Sequence, residues 1–419
     1  MREIKLLSPT RAVVSVPGSK SVTHRVLIAA ALSDGRCAIA NALESEDTRL
    51  TRETLQRWGI RIEPDGERLQ VFGNGGGLDA SPEPIFLGNS GTSMRLLTAV
   101  AALARGKSVL TGSDRLKARP VQDLLDGLAQ VGVAARTLDG SRCPPVEIAG
   151  GGAVGGLARL NCALSSQFLS ALLLIGPYTR DGVEVRVTHG PVSRPYIDIT
   201  LDIMASFGVK VERDAYAWFR VPGRRCYRAG SHHVEPDCSQ AGYFWAAAAV
   251  TGSTVGVRGT HRGSRQGDIR LLDILERMGC RVEPGGEGVA VTGGPLSAVD
   301  IDMADTPDAV PTVAVVAAFA GGRTVIRNVA HLREKESDRL AAVTAGLNRM
   351  GIAAAVEANS LWVEGGTPQP AAIECHSDHR IAMSFAVAGL KAPGVRILDE
   401  ACVQKSFPGF WQTLEGLYR

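Results

Sequence analysis

The chain has 419 residues, with 45% hydrophobic and 21% charged, enough for two or three domains with large cores and too apolar for a disordered protein. A net charge of +3 gives no argument for nucleic acid, although a small anion needs only a local basic cluster. Eight cysteines, at 37, 143, 162, 226, 238, 280, 375 and 402, include no C-x-x-C pair, and they read as reduced thiols rather than disulfides or a metal site. Met1 to Lys5 lacks the apolar run of a signal peptide, and runs such as Phe244 to Val250 fall far below the ~20 residues that span a bilayer. The expected setting is the cytoplasm, with no membrane and no nucleic acid partner.

In chain order, two strand-like runs come first, Glu3 to Leu6 and Ala12 to Val16. Two interleaved patterns then repeat. In one, a helix-like segment ends in Gly and a short alternating run follows, as in Leu55 to Glu63. It returns around Gly132, Gly208, Gly279 and Gly351. Gly suits the position just past a helix because it enters the left-handed region freely. The alternating runs predict paired strands near 60–72, 133–148, 209–221, 280–291 and 352–364.

In the other pattern a polar cluster opens an Ala/Leu-rich helix. The openings are Ser19 to Ser21, Asn89 to Thr92, Ser165 to Gln167, Asp237 to Gln240, Asp305 to Asp308, and Ser377 to Arg380. Each holds good N-cap residues. The helices that follow, such as Leu96 to Ala104 and Val313 to Ala320, are apolar on nearly every side and so predict burial.

The result is six repeats of a βαβαββ-type α/β unit, three per domain. The sixth ends after a helix over 407–417 without a final strand pair. The simplest closure lets both N-terminal runs complete it. That assigns 17–234 to an N-terminal domain, and 1–16 with 235–419 to a C-terminal one. Two chain crossings, near 17 and 235, suit a hinge. A helix N-terminus presents unpaired N–H groups and partial positive charge, which favours anions. Six such ends in register, with Lys20, Arg25, Arg95 and Arg380 beside them, predict an anion site rather than capping alone.

The segment Pro17 to Arg25 resembles the N-terminal signature of the 5-enolpyruvylshikimate-3-phosphate synthases, and Leu87 to Arg95 resembles their glycine motif. Arg119-Pro120, Ser165 to Gln167, Ser193 to Asp198, Pro307 to Ala309, Lys335 to Arg339, Asp378 to Arg380 and Lys405 to Pro408 follow in the family's order. The resemblance implies a two-domain inside-out α/β barrel with the active site in the interdomain cleft. The N-terminal domain would serve mainly shikimate-3-phosphate, and the C-terminal domain mainly phosphoenolpyruvate. It further implies transfer of the enolpyruvyl group from phosphoenolpyruvate to the 5-hydroxyl of shikimate-3-phosphate, with release of phosphate, by addition and elimination through a tetrahedral intermediate. That places the reaction in the shikimate pathway of aromatic amino acid biosynthesis. No cofactor or metal is expected, and the working unit is expected to be a monomer.

By the same resemblance, shikimate-3-phosphate is bound by Lys20, Ser21, Arg25, Ser165, Ser166, Gln167, Ser193, Tyr196, Asp308, His331 and Lys335. Phosphoenolpyruvate is bound by Lys20, Asn89, Gly91, Arg119, Gln167, Arg339, Arg380 and Lys405. Arginine suits this task because its planar fork matches carboxylate and phosphate. Asp308 is expected to take the hydroxyl proton and Glu336 to help exchange protons at C3, with Lys20 also moving protons.

The chain departs from the family pattern at His331, where Asn is frequent, and at Leu96, where Pro is frequent. The inhibitor glyphosate is expected to bind still, because Gly91 leaves room. Two alternatives remain open at this point. The related UDP-N-acetylglucosamine enolpyruvyl transferases carry a reactive Cys five residues before their Arg-Pro, where this chain has Asp114. A non-catalytic anion-binding paralogue would have lost a carboxylate or a cation of the site.

Overall fold

The computed structural model describes residues 1–418 and divides the chain into two compact units. One is contiguous, Gly18–Val234; the other is split, Met1–Pro17 with Glu235–Arg419.

Each unit holds three small sheets and three buried helices. In the contiguous unit the first sheet runs Ser231–His233, Arg36–Ala40, Arg68–Phe72, Arg61–Asp65. Its first pair is parallel and the other two are antiparallel. The same order recurs in Ile85–Phe86, Lys107–Thr111, Val146–Ala149, Ala134–Thr137, and in Gly156–Asn161, Val183–His189, Trp218–Val221, Glu212–Asp214. A parallel pair needs a crossover. The buried helices Gly91–Val100 and Gln167–Ile175 lie on two of those crossovers, and the buried helix Lys20–Leu32 leads into the strand Arg36–Ala40.

The split unit repeats the scheme around helices Cys238–Thr251, Val310–Ala317 and His379–Gly389, which pack on one another. Helices inside and sheets outside make the inside-out α/β fold of six repeats. The described strands form six separate sheets rather than one closed barrel. All five expected strand pairs are present, and Gly59, Gly132, Gly208, Gly279 and Gly351 have φ of 91°, 85°, 85°, 108° and 74°.

One part of the expected closure is corrected. Arg2–Glu3 pairs antiparallel with Arg396–Ile397 and does complete the sixth sheet. Arg11–Val14 pairs in parallel with Thr254–Arg258 instead and completes the fourth. The sixth sheet already has its parallel first strand in Ala372–Ile373, so no such place is open there. Alternation of apolar residues marks a strand but does not say which sheet takes it. The C-terminal helix is also shorter than expected, Phe410–Glu415 followed by a 3-10 turn.

Candidate functional site

In the split unit the polar residues gather on Arg339. Its Nη1 donates to Asp308 Oδ1 at 2.7 Å, its Nη2 to Glu336 Oε2 at 2.7 Å and its Nε to Asp378 Oδ2 at 2.9 Å. Arg380 lies beside it, with Nη2 donating to the second oxygen of Asp308 at 2.9 Å and Nη1 to Tyr243 Oη at 3.1 Å. Both arginines are 1% exposed, so water screens these pairs little. Asp308 is therefore no helix cap: the Val310–Ala317 helix has Ala309 at its N-cap, and the carboxylate bridges two guanidiniums instead. Asp378 is the cap of its helix, accepting from Arg380 N at 2.9 Å, and it also accepts from Ser337 Oγ at 3.0 Å.

The remaining candidates of this unit flank the cluster. His331 is 6% exposed, and its Nε2 is buried with no hydrogen-bond partner among the described residues. Burial first, then Lys335, pushes its pKa down to about 3, so the ring is neutral at pH 7. Lys335 is half-buried. Lys405 is buried at the end of the 3-10 turn Glu400–Lys405, which packs on the His379–Gly389 helix.

In the contiguous unit the helix N-termini are linked side chain to side chain. Lys20 Nζ donates to Asp47 Oδ2 at 3.2 Å. Arg95 Nη1 donates to Gln167 Oε1 at 2.8 Å, and Gln167 Nε2 donates to Thr92 Oγ1 at 2.9 Å. Ser165 Oγ accepts from Gln167 N at 3.2 Å, and Ser166 is the N-cap of that helix. Arg119 Nη1 donates to the Asn89 carbonyl at 3.3 Å. A Cβ added at Gly91 would stand 2.5 Å from Arg119 Nη2. The absence of a side chain at Gly91 thus makes room for the Arg119 guanidinium.

Arg25 sits deeper. It is 1% exposed and donates to Thr200 Oγ1 at 2.7 Å, the Ser21 carbonyl at 2.9 Å and Ser170 Oγ at 3.4 Å. Desolvation lowers its pKa to about 10, which leaves it cationic at pH 7. Ser193 is buried with φ of 56°, and its Oγ has no hydrogen-bond partner among the described residues. Tyr196 is half-buried on the Pro195–Ser206 helix, close enough for its charge state to act on Arg25.

Within each unit, then, candidates far apart in sequence meet. Sequence reasoning missed four partners. Asp378 was placed in a helix opening and in the Asp378 to Arg380 motif but given no role of its own. Tyr243 hides in an apolar helix, and Asp47 opens a surface-type helix; neither is marked in the sequence. Asp268, fully buried, accepts from Ser239 Oγ. Burial first, then the charge of Asp308, raises its pKa to about 7.

A six-repeat α/β protein that gathers cations and carboxylates at buried helix N-termini is the class that fold and site define. Over residues 4–414 the chain matches the EPSP synthase family, 3-phosphoshikimate 1-carboxyvinyltransferase. The 3-phosphoshikimate 1-carboxyvinyltransferase of Methanoculleus marisnigri is 44% identical over 410 residues, which cover 97% of each chain. That of Syntrophobacter fumaroxidans is 43% identical over 419 residues, 99% of each. The solved EPSP synthase of Acinetobacter baumannii has a TM-score of 0.82 at 31% identity, covering 99% of this chain and 97% of that one. The chain belongs to the EPSP synthase family. Among the described residues no helix is long and apolar enough to cross a membrane.

Proposed function

We propose that the chain transfers the enolpyruvyl group of phosphoenolpyruvate to the 5-hydroxyl of shikimate-3-phosphate and releases phosphate. The observation that carries this reading is Asp308, whose two oxygens accept from Arg339 at 2.7 Å and from Arg380 at 2.9 Å. A carboxylate held so is oriented to accept a proton. The two guanidiniums beside it suit the phosphate and carboxylate of phosphoenolpyruvate. Asp308 takes the hydroxyl proton as the oxygen attacks C2, and Glu336, on the same guanidinium, serves the proton added at C3. Glu336 then takes a proton back from C3 as the bond between C2 and the phosphate oxygen breaks, and phosphate leaves the tetrahedral intermediate into the charge of Arg339, Arg380, Lys405, Lys20 and Arg119. Asn89, Gly91 and Gln167 complete the phosphoenolpyruvate contacts.

Shikimate-3-phosphate is held by Ser21, Arg25, Ser165, Ser166, Gln167, Ser193 and Tyr196, with Lys20, Asp308, His331 and Lys335. Ser193 Oγ, buried without a partner, supports a ligand hydrogen bond at that position. Neutral His331 supports a hydrogen bond rather than a charge. The 17–234 domain serves mainly this substrate, and the remainder mainly phosphoenolpyruvate. The enzyme works as a cytoplasmic monomer. Glyphosate competes with phosphoenolpyruvate by engaging the same cations.

The test is phosphate release from phosphoenolpyruvate with and without shikimate-3-phosphate. Release should require that acceptor and fall roughly 10²–10⁴-fold in Asp308→Ala. Release with UDP-N-acetylglucosamine instead, or with neither acceptor, would overturn the reading.

A further inference from the structure

Three helices of the contiguous unit are joined by a hydrogen-bonded seam for which the proposed reaction gives no use. His24 Nδ1 lies 2.8 Å from Thr51 Oγ1, Thr51 Oγ1 lies 2.9 Å from Ser93 Oγ, and Ser93 Oγ lies 2.8 Å from Ser90 Oγ. Ser93 Oγ also donates to the Asp47 carbonyl at 3.3 Å, and Ser93 N donates to Ser90 Oγ at 3.4 Å. His24, Asp47, Thr51, Ser90 and Ser93 are all buried.

The seam runs alongside candidate site residues. His24 is four residues after Lys20 on the helix Lys20–Leu32, and Thr51 is four after Asp47 on the helix Glu46–Arg57. Residues so spaced share a helix face. The Lys20–Asp47 ion pair at 3.2 Å and the His24–Thr51 bond are therefore successive rungs between these two helices. Ser93 ties in the third helix, Gly91–Val100, whose N-cap Ser90 stands between Asn89 and Gly91. A buried hydroxyl in a helix often turns back on its own chain: Thr54 donates to the Leu50 carbonyl at 2.7 Å and Thr98 to the Met94 carbonyl at 2.6 Å. Thr51 and Ser93 bond across helices instead. An apolar seam would desolvate no polar group, whereas a polar seam bonded in series specifies one arrangement of the helices it joins.

We propose that His24, Thr51 and Ser93 are positioning residues for Lys20: bonded in series from the His24 Nδ1–H to the Asp47 carbonyl, they fix Asp47 and through it the direction of the Lys20 ammonium. That this direction serves catalysis rests on the function proposed above. The Asp47 carbonyl can only accept, and this sets the sense of the whole series. Ser93 gives its one hydroxyl proton to that carbonyl, so its oxygen accepts from Thr51 and from Ser90. Thr51, donating to Ser93, accepts from His24, which therefore carries a proton on Nδ1. The Ser90 oxygen still accepts from Ser93 N, so the cap of the Gly91–Val100 helix stands in either case. In the reverse sense Ser93 would donate to Thr51 and leave the Asp47 carbonyl, and the tie from the third helix to Asp47 would be lost. Removing the Thr51 hydroxyl breaks the series at its middle. Asp47 is then held less firmly, and Lys20 with it.

The experiment measures phosphate release by the full chain and its variants, normalised to folded protein. Thr51→Val keeps the branched shape and removes the hydroxyl, and kcat/KM for phosphoenolpyruvate should fall about tenfold, as a small misplacement of a reacting group costs. Ser93→Ala removes the next link and should do the same, which covers a Thr51→Val chain that folds poorly. Thr51→Ser keeps the hydroxyl, and His24→Asn keeps a hydrogen-bonding nitrogen near the Nδ1 position; both should recover most of the loss. On an Asp47→Asn background Thr51→Val should add less than about a twofold loss, because the residue it acts through is already altered. Nitrogen-15 spectra of the labelled chain, with His24 assigned by its absence in His24→Asn, should show the proton on Nδ1 and a shifted signal in Thr51→Val. Four results would overturn the proposal: Nδ1 without a proton, Thr51→Val as active as the parent, Thr51→Ser as impaired as Thr51→Val, or losses that simply multiply on Asp47→Asn. The spectrum needs no substrate. A parent chain that releases no phosphate would therefore sink the proposed function, while the Nδ1 signal would still decide the series.

Discussion

The two units solve the problem of buried cations differently. In the split unit Arg339 and Arg380 are matched against Asp308, Glu336 and Asp378, so three carboxylates face two guanidiniums. In the contiguous unit Arg25 is buried as completely but is held by hydroxyls and a carbonyl. The first arrangement is electrically compensated, and an incoming anion must exchange partners with carboxylates. The second holds its charge with neutral partners. Ion-paired networks are costly to break, because each lost partner strands a buried charge.

Arg339→Met sharpens this contrast most. It should cost about 3–5 kcal/mol in urea unfolding, since three carboxylates lose their common partner. Arg25→Met should cost only about 1–2 kcal/mol, because Thr200 and Ser170 already bond to each other at 2.8 Å and stay satisfied. Equal costs would break the comparison.

The split unit should also carry the pH dependence. With Asp268 raised to about 7, the folded chain keeps a proton that the unfolded chain releases near 4. Stability is therefore lost as pH rises between those values and stays lower above them. Asp268→Asn should add about 2–4 kcal/mol at pH 8 and almost nothing at pH 4. A gain that does not change with pH would count against the buried carboxyl.

His331 works in the opposite sense. With its pKa lowered to about 3, the unfolded chain takes up a proton first, and stability falls as pH drops below 6.5. His331→Asn should recover about 2 kcal/mol at pH 5 and nothing at pH 7. Denaturant midpoints at the two pH values decide it. The smallest effect belongs to the contiguous unit. Gly91→Ala pushes the flexible end of Arg119 aside, and KM for phosphoenolpyruvate should rise about tenfold with folding unchanged, a ~1.4 kcal/mol effect. Steady-state kinetics with an unaltered KM would show that Arg119 need not stay there.

The repeat was legible because each element carries a local signature. Gly279 and its counterparts must take positive φ, and helices such as Val310–Ala317 are apolar on every side. Residue types also marked the candidate cations and Asp308. Their partners were not legible. Tyr243 is 137 positions from Arg380, and Asp378 is 39 from Arg339. No spacing rule reaches that far; only the packing of separate helices brings them together.

By itself, then, the sequence determined the six-fold α/β repeat, the buried helices with polar openings and the residue types able to hold anions. These follow from backbone conformation and side-chain periodicity, which act over a few residues. The tertiary structure alone decided that Arg11–Val14 joins the fourth sheet, that Asp308 bridges two arginines rather than capping a helix, and that Arg119 fills the space at Gly91. The physical reason is common to all three. Each is a contact between chain segments whose meeting is set by how the elements pack, and packing is a property of the whole core rather than of any local stretch.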